Sequence, residues 1–345
     1  MERATISDVA QLAGVSQATV SRALRGVAKV SPETRLRVEQ AANNLNFTLS
    51  KSASALASGK TMRVLLLVSG TLDRWFNSSV LQGAYDVLSP EGYDIIPSFV
   101  TNRAQLDHYF AELPKNRNAD AIIVSSFTFT TELHDRMAAM GMPVIGLDSP
   151  STDGFDASIA ISNADGLKQS VHLLHSLGHR RLAFIRDYVP QDMVYSTTTR
   201  ADCFASAIDA LDAGLEYTIL TAHTHVNTVE PEELAPELAS LVLSSPLRPT
   251  GLVVETDELA VPLMKELRHQ HMRFPEDMSI VGFDDAPISR VVDLTTIHQN
   301  PIELGHSAAR KALSLMRGET LERSHEVQPT TLVLRDTTGR APNVA

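Results

Sequence analysis

Thr5-Ile6-Ser7-Asp8-Val9-Ala10-Gln11-Leu12-Ala13-Gly14-Val15-Ser16-Gln17-Ala18-Thr19-Val20-Ser21-Arg22-Ala23-Leu24 reads as two short helices joined by a tight turn. Ile6, Val9, Ala10 and Ala13 recur at helical spacing and give the first helix one apolar face. Gly14 supplies the permissive backbone of the turn, and Val15 plugs the corner. Ser16 stands where an N-cap belongs, and Val20 and Leu24 continue an apolar stripe at i, i+4. That stripe leaves Gln17, Ala18, Ser21 and Arg22 on the outer face. Their side chains are short or able to make two hydrogen bonds, as a helix reading base edges in a major groove requires. The hydrophobic pattern alone would equally suit an ordinary helical hairpin.

A third helix and the charge distribution favour the DNA-reading alternative. Ser31-Pro32-Glu33-Thr34 begins that helix with an N-cap, a proline at the first helical position and an acid at the positive end of the dipole. Val38, Ala41 or Ala42, and Leu45 give it a face that closes a small core. Residues 1–60 hold eight basic residues (Arg3, Arg22, Arg25, Lys29, Arg35, Arg37, Lys51, Lys60) against four acidic ones (Glu2, Asp8, Glu33, Glu39), a net of +4. The whole chain stands at −11, so the remainder stands at −15. A basic module on an acidic body confines phosphate contact to one end.

The stretch TISDVAQLAGVSQATVSRALRG…KVSPETRLRVEQAANNLNF resembles the DNA-binding headpiece of the lactose-repressor (LacI/GalR) family. The segment LGHRRLAFI, the Arg200-x-x-x-Phe204 motif and PEDMSIVGFDD…LTTIHQNPIELG look like further landmarks of that family, so the resemblance covers nearly the full chain. It implies a ligand-responsive regulator, most simply a repressor, that binds a pseudo-palindromic operator as a dimer. Gln17, Ala18 and Arg22 would face bases and Ser16, Ser21 and Thr34 would touch phosphates, with Thr5 and Lys29 completing the DNA-facing set. The alternative is a soluble sugar-binding or sugar-processing protein with an incidental helical N-terminus, for which a basic three-helix module has no use.

At 345 residues, with 43% hydrophobic and 21% charged residues, the chain suits a headpiece plus two subdomains. Cys203 is the one cysteine, which excludes an internal disulfide or a cysteine metal site. The polar N-terminus has no signal-peptide run, and no apolar stretch approaches about 20 residues. The expectation is a cytoplasmic protein on the nucleoid. His172, His175 and His179 fall at i, i+3, i+7, but a metal site needs three or four convergent ligands. His179 follows Leu177-Gly178 and reads instead as a helix C-terminal residue facing end carbonyls, so no metal is expected.

The headpiece is expected over 1–47 and a hinge segment over 48–61. On composition the hinge is a flexible Ser/Ala-rich linker, though Ala53, Ala55, Leu56 and Ala57 can form about two helical turns, too few for a stable isolated helix. The resemblance assigns a hinge helix to 50–58 and makes Leu56 the wedge that enters the minor groove. Over 62–345, apolar runs at 63–68, 93–100, 120–125 and 143–147 look like buried parallel strands, with helical segments between them. After Ile159-Ala160-Ile161 the alternation restarts. The fold class is α/β: two doubly wound subdomains resembling periplasmic sugar-binding proteins. One is expected at about 62–161 and 291–325, the other at about 162–290 and 326–340.

No GxGxxG, GxxxxGK[ST] or GxSxG motif appears, and no carboxylate pair has a context for acid/base work, so an enzyme is unsupported. Ligands of such sheets bind at the carboxyl ends of strands. Trp75 and Phe76 follow the first strand, Ser125 ends the third, Asp148 ends the fourth, Asp257 follows the strand at 250–255, Asp284 follows Val281-Gly282-Phe283, and Arg200 opens a helix. Carboxylates and a forked guanidinium suit vicinal hydroxyls. By resemblance Arg200 and Asp284 match effector-gripping positions, and Trp75 and Phe76 match the aromatic pocket. A small-molecule effector, a sugar or glycoside, is expected with no other cofactor; a nucleobase or phosphorylated metabolite is the alternative. Thr256-Asp257, Ser162-Asn163 and Cys203 depart from the family's common Asn-Asp, Asp-Asn and Gly. The C-terminal TLVLRDTTGRAPNVA has no leucine heptads, which favours a dimer over a tetramer.

Overall fold

The structure, a computed structural model, describes residues 4–24, 30–47, 60–116, 119–188, 193–223 and 230–342. Contacts divide the chain into two units, Met1–Met62 and Arg63–Ala345. In the first, helices α1 (Ile6–Ala13), α2 (Gln17–Leu24) and α3 (Pro32–Asn44) surround Val9, Ala10, Ala13, Val20, Ala23, Val38, Ala41 and Ala42. Small side chains at these positions let three short helices approach closely. Each start is capped: the Thr5 amide and hydroxyl donate to Asp8 at 2.7 and 2.8 Å, and the Ser16 and Ser31 hydroxyls accept the Thr19 and Thr34 amides. Gly14 adopts φ +67°, the left-handed conformation that ends α1 and starts the turn. The hinge segment, with Leu56, lies outside the described residues, as does Lys29.

Among the described residues the second unit contains two sheets of six strands. The first is built from β1 (Arg63–Ser69), β2 (Asp94–Val100), β3 (Ala121–Ser125), β4 (Val144–Leu147), β5 (Ala157–Ile161) and β11 (His325–Gln328), in the order β11-β5-β4-β3-β1-β2. The second uses β6 (Arg181–Arg186), β7 (Glu216–Thr221), β8 (Gly251–Val254), β9 (Ser279–Asp284), β10 (Thr295–His298) and β12 (Thr331–Val333), in the order β12-β10-β9-β8-β6-β7. The two orders repeat one topology, and every pairing is parallel except β10 with β12. In each sheet the winding direction reverses beside the first strand, between β1 and β3 and between β6 and β8. That reversal opens a crevice at the carboxyl ends.

Two expectations from sequence are corrected here. Strand β10 pairs with β9, so the chain returns to the first lobe at 299–300 and not near 291. Strand β11 pairs with β5, so the final return falls after Gln328 and not at 325. The run 93–100 is also less enclosed than a buried strand: β2 is an edge strand with half-buried positions, which is why it tolerates Pro97.

Helices cover both faces. On the first sheet, Leu65, Leu67, Ile122 and Val124 pack with Phe110, Phe129 and Phe155; on the second, Ile185, Leu252 and Val254 pack with Leu238, Leu263 and Leu267. The segment after β6 leaves its own lobe: Met193 and Tyr195 are buried in the first lobe's core, and the Ser196 amide donates to Ser126 O at 2.9 Å. Helix α4 (Trp75–Leu88) lies against the late helix Pro301–Met316 with glycine facing glycine. A Cβ on Gly83 would stand 2.0 Å from Ile302 O, and one on Gly305 would stand 2.4 Å from Val80 O. Backbone cannot yield as a side-chain tip can. Gly83→Ala is expected to force the helices apart and cost about 1–3 kcal/mol, read as a lower denaturant midpoint with an unchanged slope.

His179 does not face helix-end carbonyls as expected. It is fully buried, with Nδ1 3.0 Å from Thr250 Oγ1 and Nε2 2.9 Å from Ser279 Oγ and 3.1 Å from Gly339 O. It therefore pins the chain's last described segment to the second sheet, while His172 remains exposed on its helix. Among the described residues no helix is long and apolar enough to cross a membrane.

Candidate functional site

Two surfaces carry the expected site residues. On the first unit, Gln17, Ala18 and Arg22 are exposed along α2, whose opposite side buries Val20 and Ala23. Ser16 is exposed, but its hydroxyl is engaged as a cap and lies 2.9 Å from that of Thr19. Thr5 is held by Asp8, and the half-buried Thr34 accepts from Ser31 Oγ at 2.9 Å. Ser21 is half-buried. The residues free to read a partner are thus those at positions 17, 18 and 22.

On the second unit a cleft opens at the carboxyl ends of the strands, the place where sheets of this winding bind small molecules. Trp75 and Phe76, half-buried in the first turn of α4, form its apolar side. Their loop is fixed by Asn77, whose amide donates to Ser69 O at 2.8 Å and Thr71 O at 2.9 Å. Asp148 follows β4, Asp187 follows β6, Glu255 follows β8, Asp284 ends β9 and Gln299 follows β10; all line the cleft. Arg200 stands at the centre with 1% of its surface exposed. Its Nε donates to Asn163 Oδ1 at 3.1 Å, its Nη1 donates to Glu255 O and to Asp284 Oδ1, the latter at 3.4 Å, and its plane lies 3.7 Å above the Phe283 ring. Asp284 holds φ +122°, an unusual conformation that presents its carboxyl beside Arg200 and Gln299, 2.6 Å from Gln299 Nε2.

Two expected residues do not reach the cleft. Ser125 is wholly buried at the end of β3; the next residue, Ser126, turns with φ +73° and lines the cleft in its place. Asp257 is also buried, and both its oxygens are occupied: Oδ1 accepts from Thr296 Oγ1 at 2.6 Å, while Oδ2 accepts from Ala286 N at 2.9 Å and from Ser289 Oγ. It ties down the turn after Asp284, and its neighbours Thr256 and Glu258 line the cleft. Sequence reasoning missed Asp187, Glu255 and Gln299, although each directly follows a strand and the strand-end rule would have found them.

Burial dominates the electrostatics. It pushes the Asp284 carboxyl up to about 8 against the pull of Arg200, and Asp148 up to about 6 against the same pull. Glu255 is raised well above the usual range, by burial first and then by the charge of Asp187. Because these folded values exceed the unfolded ones, their contribution to stability is complete below about pH 4 and is lost as pH rises through 6 and 8. His179 acts on the other flank. Burial lowers its value below 6.5, so stability falls as pH drops beneath 6.5 and the unfolded state takes up a proton. Melting temperature plotted against pH should decline on both sides, with Asp284→Asn flattening the alkaline limb and His179→Gln the acid one.

Comparison with known proteins agrees with this layout. Residues 5–50 match the family of bacterial regulatory proteins of the lacI type, and residues 171–338 match a periplasmic binding protein-like domain. The HTH-type transcriptional regulator GntR of Pseudomonas aeruginosa is 30% identical over 97% of this chain and 96% of its own length. The chain belongs to the lacI family. Catabolite control protein A of Priestia megaterium, 26% identical over 97% of this chain and 99% of its own, is another similar relative. Among solved structures, the lac repressor dimer bound to operator and the anti-inducer ONPF superposes with a TM-score of 0.82 at 24% identity, covering 98% of this chain and 100% of that one. The CelR–cellobiose complex gives 0.68 at 25% identity, covering 97% and 100%. As a lacI-family member the chain is a transcriptional regulator with a DNA-binding and an effector-binding domain, and its curated relatives are regulators.

Proposed function

We propose that the protein represses transcription by binding a pseudo-palindromic operator as a homodimer, and that a sugar or glycoside in the cleft changes that binding. The observation that carries this reading is the cleft itself: an aromatic side at Trp75 and Phe76 faces carboxyls and a guanidinium at strand ends. That pairing suits a ring with one apolar face and several hydroxyls. The similar CelR structure is a complex with cellobiose, and the lac repressor structure is a dimer bound to operator, which supports both halves of the proposal. One helix-turn-helix makes few base contacts, so two-fold pairing doubles the readout. No further cofactor is invoked, and the site of action is the nucleoid in the cytoplasm. Leu56 would contribute by holding an unstacked base step open.

Effector and operator must then be coupled reciprocally, typically by about 1–3 kcal/mol. Fluorescence anisotropy of labelled operator, titrated with and without a bound saccharide, reads this coupling, and sedimentation at micromolar protein reads the dimer. Asp284→Ala is expected to lose the response to saccharide, because no oxygen then reaches the ligand beside Arg200 and Gln299. A variant that responds as the parent does would remove Asp284 from the ligand contacts.

A further inference from the structure

The floor of the cleft carries a carboxyl pair that the Arg200–Asp284 contact does not use. Strands β6 and β8 are neighbours, with Ile185 opposite Val254, so the residues just beyond them, Asp187 and Glu255, emerge side by side. The Asp187 amide donates to Glu255 Oε2 at 3.3 Å, which holds the two carboxyl groups in one corner of the cleft. Glu255 is 3% exposed, yet its Oε1 has no hydrogen-bond partner among the described residues. Gln299, also 3% exposed, donates through Nε2 to Asp284, and its Oε1 is likewise without a partner. Both residues line the cleft. Buried acceptors left unpaired are costly, and a ligand supplying donors relieves that cost on binding.

Charge narrows the ligand further. The described lining contains no lysine or histidine and two arginines. Arg200 is committed to Asn163, Glu255 O and Asp284; Arg74 is paired with Glu230 at 3.4 Å and Glu258 at 4.0 Å. Against them stand Asp148, Asp187, Glu255, Glu258 and Asp284. A phosphate entering this cleft would meet a lining rich in carboxyl oxygens and guanidiniums already engaged. A neutral polyol would meet acceptors.

We propose that Glu255 and Gln299 are specificity-determining residues of the cleft: their unpaired oxygens accept hydroxyls of a neutral saccharide, and the surrounding carboxyls turn its phosphate esters away. This rests on the reading of the cleft as the effector site. Isothermal titration and thermal melting of the full chain against glucose, maltose, cellobiose and ribose, each beside a phosphate ester, with glucosamine as the cationic member, tests it. At least one neutral saccharide should bind, with its phosphate ester weaker by about a hundredfold or more. Glu255→Met should weaken that saccharide by about tenfold or more, whereas Glu255→Gln, which keeps an acceptor oxygen, should stay within a few-fold of the parent. A phosphate ester binding as well as its parent sugar overturns the proposal. So does unchanged saccharide affinity in Glu255→Met. Glucosamine binding above glucose and lost in Glu255→Gln replaces it with a site for a cationic nitrogen. If no saccharide binds while the protein still holds DNA, the saccharide reading of the cleft falls, and this proposal with it.

Discussion

Arg200→Met is expected to lower the stability of the second unit by about 3–5 kcal/mol, the cost of breaking a buried charged contact from one side. The sequence alone presents Arg200 as a ligand-gripping residue. The structure assigns it a second duty, since the guanidinium bridges Asn163, the Glu255 carbonyl and Asp284 and covers the Phe283 ring. Methionine fills much of the volume but satisfies none of these acceptors. The deficit should depend on pH in a defined direction. Without the guanidinium, Asp148, Glu255 and Asp284 bind protons more tightly still, so the variant loses most at high pH and least near pH 5. Denaturant melts of parent and variant at pH 5.5 and 8.5 measure both quantities. A variant as stable as the parent at pH 8.5 would show that the contacts of Arg200 contribute nothing to the fold.

Arg22→Ala is expected to weaken specific operator binding by about 1–3 kcal/mol and to relax the base preference at particular positions. Arg22 is exposed on α2 opposite the buried Val20 and Ala23, so its removal takes nothing from the small core. Gln17, also exposed on α2, should behave similarly. Ser16 makes a poorer probe of phosphate contact than the sequence suggests, because its hydroxyl caps α2 and a loss of helix would be mistaken for a loss of binding. Competition between operator and random duplex at fixed salt gives the specificity ratio. An unchanged ratio in Arg22→Ala would assign the residue to the phosphates.

Most of the fold was legible because its signals are local and periodic. The caps at Ser16 and Ser31 and the turn at Gly14 are each decided within four residues, and all are where the sequence placed them. The alternation of strands and helices likewise follows from short windows. What escaped depends on partners distant in the chain. The return at 299–300 depends on β10 finding β9, and His179 depends on Ser279 and Gly339, 100 and 160 residues away. Ser125 and Asp257 show a finer limit. The strand-end rule located the right neighbourhood, but a positive φ at Ser126 and the hydroxyls of Ser289 and Thr296 decided which side chain faces the cleft. Cleft residues were readable to within one position, and that one position exchanges a site residue for a core residue.

The interleaving of the two lobes also bears on how the chain is made. Strand β5 ends at Ile161, but its outer partner β11 begins only at His325, and the helix that crosses Gly83 starts at Pro301. At translation speeds of 5–20 residues per second, β5 therefore leaves the ribosome roughly 10–30 s before the strand that covers its edge. The second lobe meanwhile emerges almost whole, lacking only β12. The nascent polypeptide thus carries an unsealed sheet edge and an uncovered α4 glycine surface through much of its synthesis, the kind of exposure that recruits holdase chaperones and invites association between neighbouring chains on one messenger. Residues 301–333 close both lobes almost together, so the effector-binding unit is sealed in a single late step and not lobe by lobe.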